Sequence, residues 1–447
     1  MSSSFGETPV ADSVESAAQR VATHIQNTID SADVYNKLTQ NGSTPVSGLG
    51  DKFYTKGTPE FVLKRRISIP EELSHQIKNM RSQFSMGLFP EITRAWVVID
   101  SDIFMWNYET NDDLAYFDAV QNTVLKVALV RVKSDVFASH ITHGLVVGTV
   151  TDLSLYPVIM DSDPSSSISG MAIDASHYFK ITLDNSTIND IVSTNNGRVF
   201  FTADDKLYEF IYEIAITTKG VRIYFSVVAR NVAYLSGHGQ YLSQLTSKSL
   251  SQQDVRPQCL RVAHVRFSPE VAPTSIYRDA HRGVSIAYAD QSICVMATTN
   301  RHIVWALSDI FHPNTKVYCE SMNDLHVTGN VWAIAPVSDK IIRTLPPEPG
   351  MLPRLLPHSF FRQSIEQRRR LIICSNEGVH EFQHLTPRDA LQDALFEGGV
   401  EGRATVQLWQ QLGPTEVLVL ALSILTSEAA IDERIKDKVH QFYSSYN

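Results

Sequence analysis

Residues 89–118, FPEITRAWVVIDSDIFMWNYETNDDLAYFD, constrain the fold of this chain more than any other stretch. A Phe-Pro turn leads into an apolar strand from Ala95 to Ile99, which breaks at Asp100-Ser101-Asp102. A second, aromatic strand follows from Ile103 to Tyr108, then a turn from Thr110 to Asp113 and the start of a third strand between Leu114 and Phe117. Short apolar runs parted by Asx-type breakers predict an antiparallel meander. Its large aromatics, Trp96, Phe104, Trp106 and Tyr108, suit the space between packed sheets and are candidates for the structural core. One of them left exposed would suit an interface anchor.

The same punctuation runs through most of the chain. Strands are expected from Phe61 to Ile69, Val124 to Val132, Gly144 to Tyr156 (ending before Pro157), Tyr178 to Leu183 and Asp190 to Ser193. Asn195-Asn196-Gly197 is a strong hairpin signal ahead of Arg198 to Thr202. Lys206 to Tyr212 and the pair within Ala215 to Val228 come next, then a Ser-, Gln- and Gly-rich loop from Asn231 to Pro257. Strands resume from Cys259 and end with a pair around Asn376-Glu377-Gly378. From Pro387 the apolar spacing turns helical. The reading is mainly β with a helical C-terminal extension, in three parts. Residues 1–60 are a helix and a flexible arm, 61–386 the β region, and 387–447 helices.

Composition narrows the classes of function. A 447-residue chain with 43% hydrophobic and 19% charged residues can bury a full core. A net charge of -9 disfavours a general nucleic-acid binder. The four cysteines, Cys259, Cys294, Cys319 and Cys374, are widely spaced with no Cys-x-x-Cys pair, so they are expected to be reduced and buried. The first residues lack the pattern of a secretory signal, and no stretch approaches a spanning helix, so membrane contact would be peripheral.

Catalytic motifs are missing from the sequence. There is no phosphate-binding Gly-rich loop, no His-Glu-x-x-His and no Gly-x-Ser-x-Gly, which predicts a non-enzyme without cofactor or metal. Asp100 and Asp102 read as turn-forming carboxylates rather than a catalytic pair, and Asp112-Asp113 and Asp204-Asp205 as solvated hairpin tips. His140 and His143 lack a third ligand at metal-site spacing. Arg368 to Arg370 read as a solvated strand entrance.

Three strings carry a resemblance: DSDIFMWNY followed by DLAYFD, PEELSHQIKNMRSQFSMGLFPEITRAW, and TNNGRVFFTADDKLYEF. They resemble the N-terminal region of the large inner-ring scaffold nucleoporins of the nuclear pore complex, over roughly residues 60 to 440. The resemblance implies a β-propeller, seven-bladed in that family, followed by an α-solenoid. It also implies a structural role at the nuclear envelope, supporting transport of protein and RNA. The implied partners are a small membrane-associated adaptor nucleoporin, linker nucleoporins and transmembrane pore proteins. A propeller adaptor of another membrane coat is the alternative, and a propeller enzyme a more distant one.

This chain departs from the family pattern between Phe210 and Ala215, where strings that family members hold far apart nearly abut. A blade needs about 40 residues, so the gap implies more than one missing blade. Either the ring closes on fewer blades or it is left incomplete. Unpaired edges weigh toward the second. The resemblance also suggests a membrane-contact loop within Val232 to Leu250. Tyr234, Leu235, Tyr241, Leu242, Leu245 and Leu250 sit there among small polar residues, as in helices that sense packing defects on curved lipid.

Overall fold

The computed structural model describes residues 14–23, 46–47, 54–56, 60–79, 84–160, 170–183, 187–204, 206–217, 220–230, 265–266, 284–290, 293–298, 303–308, 320–337, 369–426 and 432–446. The chain divides into two compact units. One comprises Met1–Arg66, Val262–Ser375 and His380–Asn447, the other Ile67–Arg261 and Asn376–Val379.

Among the described residues the first elements are helix α1 (residues 14–23) and three strands, β1 (Val46–Ser47), β2 (Tyr54–Lys56) and β3 (Phe61–Ser68). Helix α2 (Glu71–Asn79) begins the second unit behind Pro70, with Glu71 and Glu72 in its first turn, where the helix dipole favours acids.

Among the described residues that unit continues with three successive antiparallel sheets. The first holds β4 (Phe84–Phe89), β5 (Arg94–Ile99), β6 (Asp102–Asn107) and β7 (Ala115–Phe117), in sequence order. The second holds β8 (Val124–Arg131), β9 (His143–Thr149), β10 (Asp152–Met160), β11 (Met171–Ile173) and β12 (Phe179–Thr182), the last two both pairing with β10. The third holds β13 (Ile188–Ser193), β14 (Val199–Ala203), β15 (Lys206–Thr217) and β16 (Gly220–Arg230). Alternation along the strands aims apolar residues at the neighbouring sheet. Ile103, Met105, Leu145, Val147, Tyr156 and Val158 join the first two sheets in one core. Val146, Leu153, Leu155, Val199, Phe201 and Phe210 join the second and third.

Two expectations are corrected here. Gly144 to Tyr156 is not one strand: β9 ends at Thr149 and β10 starts at Asp152. The Thr149 hydroxyl makes the turn by accepting from the backbone N–H groups of Thr151 and Asp152, at 3.2 and 3.0 Å, while donating to the Asp152 carbonyl at 3.2 Å. Pro157 does not stop β10, which runs on to Met160. The Pro157 carbonyl accepts from Asp174 N–H, so its nitrogen faces the same side. There the neighbouring chain is between β11 and β12, and no ladder bond is lost.

In the other unit β17 (Val265–Arg266) pairs parallel with β1. A five-stranded sheet orders β18 (Val284–Asp290), β19 (Ile293–Thr298), β20 (Ile303–Ser308), β21 (Glu320–His326) and then β2. The last sheet orders β22 (Val331–Val337), β23 (Arg370–Ser375), β24 (Gly378–His384) and then β3, so a strand from the start of the chain completes the sheet formed last. Phe61 on β3 shares a core with Val295, Leu325, Ile373 and Phe382.

Four helices follow: α3 (Pro387–Gly398), α4 (Arg403–Leu412), α5 (Pro414–Leu425) and α6 (Glu433–Tyr446). Thr386 caps α3 in a reciprocal box with Asp389, and Pro387 occupies the first turn, where its missing N–H costs nothing. Leu391, Leu395, Leu408, Val417, Leu420, Ile424, Val439 and Phe442 give these helices a core of their own. No single helix among the described residues is long and apolar enough to cross a membrane.

Candidate functional site

The aromatic sheet β4–β7 carries the four aromatic residues singled out above. Cross-strand pairing sets Ala95 opposite Trp106 and Val97 opposite Phe104, so these four share one face. All four are buried, with Trp106, Ala95 and Val97 completely so. Tyr108, 1% exposed, follows on the same side. Trp96 points the other way, half-buried against the core shared with β8–β11, with Phe89 stacked on it at 5.8 Å between centroids. Phe104 meets the exposed Tyr116 at 4.9 Å.

The turn after β6 is wound around Asn107. Its side-chain oxygen accepts from Glu109 N–H at 2.8 Å, and its carbonyl from Asn111 N–H at 2.8 Å. Asn111 and Asp113 both hold positive φ, at 60° and 53°, which short polar residues tolerate best. Asp113 corrects a further expectation, because it is not a solvated tip residue. Its carboxylate turns inward onto Arg94, a guanidinium only 1% exposed. Arg94 also donates to the Asp113 carbonyl at 2.7 Å. Sequence reading passed over Arg94, since an arginine at a strand entrance is ordinarily solvated. The one available signal was its place at the head of an otherwise apolar strand.

The other candidate carboxylates do not converge. Asp100 sits at φ 58° in the β5–β6 turn, and its carbonyl accepts from Val124 N–H at 2.8 Å. Asp102 lies beside the Tyr116 phenol, whose pKa is raised by slight desolvation where it meets the sheet, by the charges of Asp102 and Asp118, and by its hydrogen bond to Asp102. Asp204 is an exposed turn residue at φ 48°, and Asp205 lies outside the described residues. Burial and Arg131 together lower the pKa of His143, while His140 is exposed. Among the described residues no group of three or more His, Cys, Asp or Glu could hold a metal ion. Cys294 and Cys374 are buried, and burial pushes the Cys374 thiol up to about 12. Arg370 pairs with Glu381 at 3.1 Å, and Arg368 lies outside the described residues. So do Tyr234, Leu235, Tyr241, Leu242, Leu245 and Leu250.

A second buried lock lies within the departure between Phe210 and Ala215. The Tyr212 hydroxyl donates to the Gly197 carbonyl at 2.6 Å and accepts from Lys133 N–H at 3.3 Å. Gly197 needs its φ of 78° here, and a Cβ on it would come within 2.9 Å of the Lys133 nitrogen. Burial pushes the Tyr212 phenol up to about 12. The β15–β16 hairpin then runs in unbroken register from Leu207 opposite Arg230 to Thr217 opposite Gly220. The strands expected on either side of Phe210 and Ala215 are thus one continuous strand.

The architecture is a series of antiparallel sheets followed by a helical end. Residues 58–214 match a nucleoporin N-terminal family described as Nup133 N terminal like. Nup154 of Drosophila melanogaster is 22% identical over 531 residues, covering 88% of this chain and 38% of that protein. NUP170 of Saccharomyces cerevisiae is 29% identical over 39% of this chain and 11% of its own length. The crystal structure of the Chaetomium thermophilum Nup170 NTD–Nup53 complex superposes with a TM-score of 0.69, covering 96% of this chain and 77% of the other at 16% identity. Over residues 58–214 the chain is similar to that nucleoporin family, and its fold is like that of the Nup170 N-terminal structure. It spans well under half the length of these curated relatives. The Nup154 alignment runs longer than the 447 residues available here, so that relative holds residues with no counterpart in this chain. The family match stops at residue 214, inside β15.

Proposed function

We propose that this chain is a non-catalytic structural component of the nuclear pore inner ring, at the nuclear envelope. In this reading the sheets are blades of a β-propeller with β3 completing the last blade, and the ring either holds fewer than the family's seven or is left incomplete. Residues 1–60 serve as an arm, 61–386 as the propeller, and 387–447 begin a solenoid. The observation that carries the reading is the likeness to the Nup170 N-terminal structure across 96% of this chain. Rigid sheets displaying loops over a wide face suit a scaffold that must hold several partners in fixed relation.

The partner class that this supports is a small nucleoporin such as the Nup53 in that complex. Linker nucleoporins and transmembrane pore proteins extend the same role. The loop from Val232 to Leu250, with Tyr234, Leu235, Tyr241, Leu242, Leu245 and Leu250, is assigned peripheral contact with curved membrane. The test is co-purification of the full chain with a Nup53-type partner, together with imaging of a tagged chain in cells. Stoichiometric co-elution and a punctate nuclear rim are expected. A diffuse signal and no co-elution would overturn the proposal.

A further inference from the structure

Asn196 and Gly197 are neighbours at the tip of the β13–β14 hairpin, the asparagine exposed and the glycine buried. Asparagine is a labile residue, and a following glycine adds no side chain to obstruct attack. The change needs only water. The Gly197 nitrogen, its proton lost to solvent, attacks the Asn196 side-chain carbonyl carbon. A C–N bond forms, the bond from that carbon to Nδ2 breaks, and ammonia leaves a five-membered succinimide. Water opens the ring on either side. One opening gives aspartate, the other isoaspartate, whose main chain runs through the former side chain and is one carbon longer.

The hairpin holds the pair away from that reaction. Gly197 N–H donates to the Thr194 carbonyl at 3.0 Å. Asn195 and Asn196 keep negative φ while Gly197 takes 78°. Residues 194–197 are therefore a type I turn ending in a left-handed glycine, the three-residue hairpin loop. In such a turn the third residue, here Asn196, directs the next nitrogen away from its own side chain. Gly197 must give up its bond to Thr194, and Asn196 must rotate about ψ, before the two reacting atoms can meet.

Further contacts resist that rotation. The Tyr212 hydroxyl, on a side chain 0% exposed, holds the Gly197 carbonyl at 2.6 Å. Gly197 lies so close to Lys133 that a Cβ would fall 2.9 Å from the Lys133 nitrogen. Thr194 and Arg198 close the turn below, with Thr194 N–H donating to the Arg198 carbonyl at 2.9 Å and Arg198 N–H to Thr194 Oγ1 at 3.1 Å. Releasing Gly197 leaves the buried Tyr212 hydroxyl without its acceptor, which is costly.

We propose that Asn196 is a self-modification site gated by Tyr212, converting only while the Gly197 carbonyl is released. Cyclisation is far slower than reclosing, so its rate follows the open fraction of the turn. Isoaspartate, once made, bars the turn from closing again, because the extra carbon displaces Gly197 from a fit with no slack beside Lys133. Conversion is thus cumulative and one-way.

The test is peptide mapping by mass spectrometry of the full chain, incubated at physiological temperature and pH, with fragmentation that separates isoaspartate from aspartate. Folded wild type is expected to convert Asn196 at least about tenfold more slowly than a synthetic peptide of residues 191–200. Tyr212→Phe, which removes the bond to Gly197, should speed conversion about tenfold. Gly87→Ala, which weakens the first sheet away from the turn, should stay at the wild-type rate. If Tyr212→Phe does not fold, Thr194→Ala, which frees Arg198 N–H in the same turn, should raise the rate in its place. A wild-type rate equal to that of the peptide would overturn the proposal. So would an unchanged rate in the turn variant, or an equal rise in Gly87→Ala.

Discussion

Arg94 is buried to 1% exposure and closes on Asp113 twice, through a charge pair with the carboxylate and a 2.7 Å bond to the carbonyl. An ion pair this deep contributes little over an apolar substitute, but losing one partner leaves the other charged and stranded. Asp113→Asn keeps a side chain that tolerates the positive φ and removes only the charge. It should destabilise the chain by about 3 kcal/mol in urea unfolding. Asp112→Asn, on the exposed side of the same turn, should stay within about 0.5 kcal/mol.

Gly87 on β4 lies opposite Trp96, and a Cβ there would fall 2.6 Å from the indole ring. The glycine is what lets the ring lie across the strand. Gly87→Ala should force Trp96 out of place, cost about 1–3 kcal/mol, and alter near-ultraviolet circular dichroism. Unchanged spectra with unchanged stability would mean that the ring has room elsewhere.

Tyr212 predicts alkaline behaviour. Burial raises its phenol from 10.0 to about 12, so the folded state favours the neutral form. That contribution is fully present below pH 10 and is lost as pH rises toward 12. Tyr212→Phe removes two hydrogen bonds, about 1 kcal/mol each. At neutral pH it should lower the melting temperature. Between pH 10 and 12 the gap to wild type should narrow, as a pH series of thermal melts would read.

Thr386 and Asp389 close a capping box where sheets give way to helices. Thr386→Ala should cost about 1 kcal/mol, whereas Thr386→Ser should be near neutral. Helical signal at 222 nm during urea unfolding separates the two.

The sequence made much of this legible, for reasons that differ by element. The meander through β5 and β6 was plain because β-branched and aromatic residues alternate between Asx turns. The helices from Pro387 announced themselves through proline, cap and periodicity together. Several strands were not visible, among them β4 and β21. β4, FSMGLF, mixes Gly and Ser into a short run, and β21, ESMNDLH, is mostly polar. Both owe their conformation to ladders supplied by neighbours distant in sequence, and tertiary pairing overrides local propensity there. Arg94 was missed for the related reason that a charged residue gives no sign in sequence of being buried.

The hairpin joining β15 to β16 bears on how such a chain can change length. Where the family match ends at residue 214, the backbone ladder continues undisturbed, Phe210 opposite Val227 and Ala215 opposite Arg222. In a molecule of repeated sheets, equivalent strands are interchangeable terminals. A rejoining made mid-strand, in phase with the pleat, hands the chain from one module to the next without a loose end. Shortening of that sort proceeds in whole units, as links are taken out of a chain. Phe210 and Ala215 both lie on that one continuous ladder, where such a rejoining would leave no trace in the register.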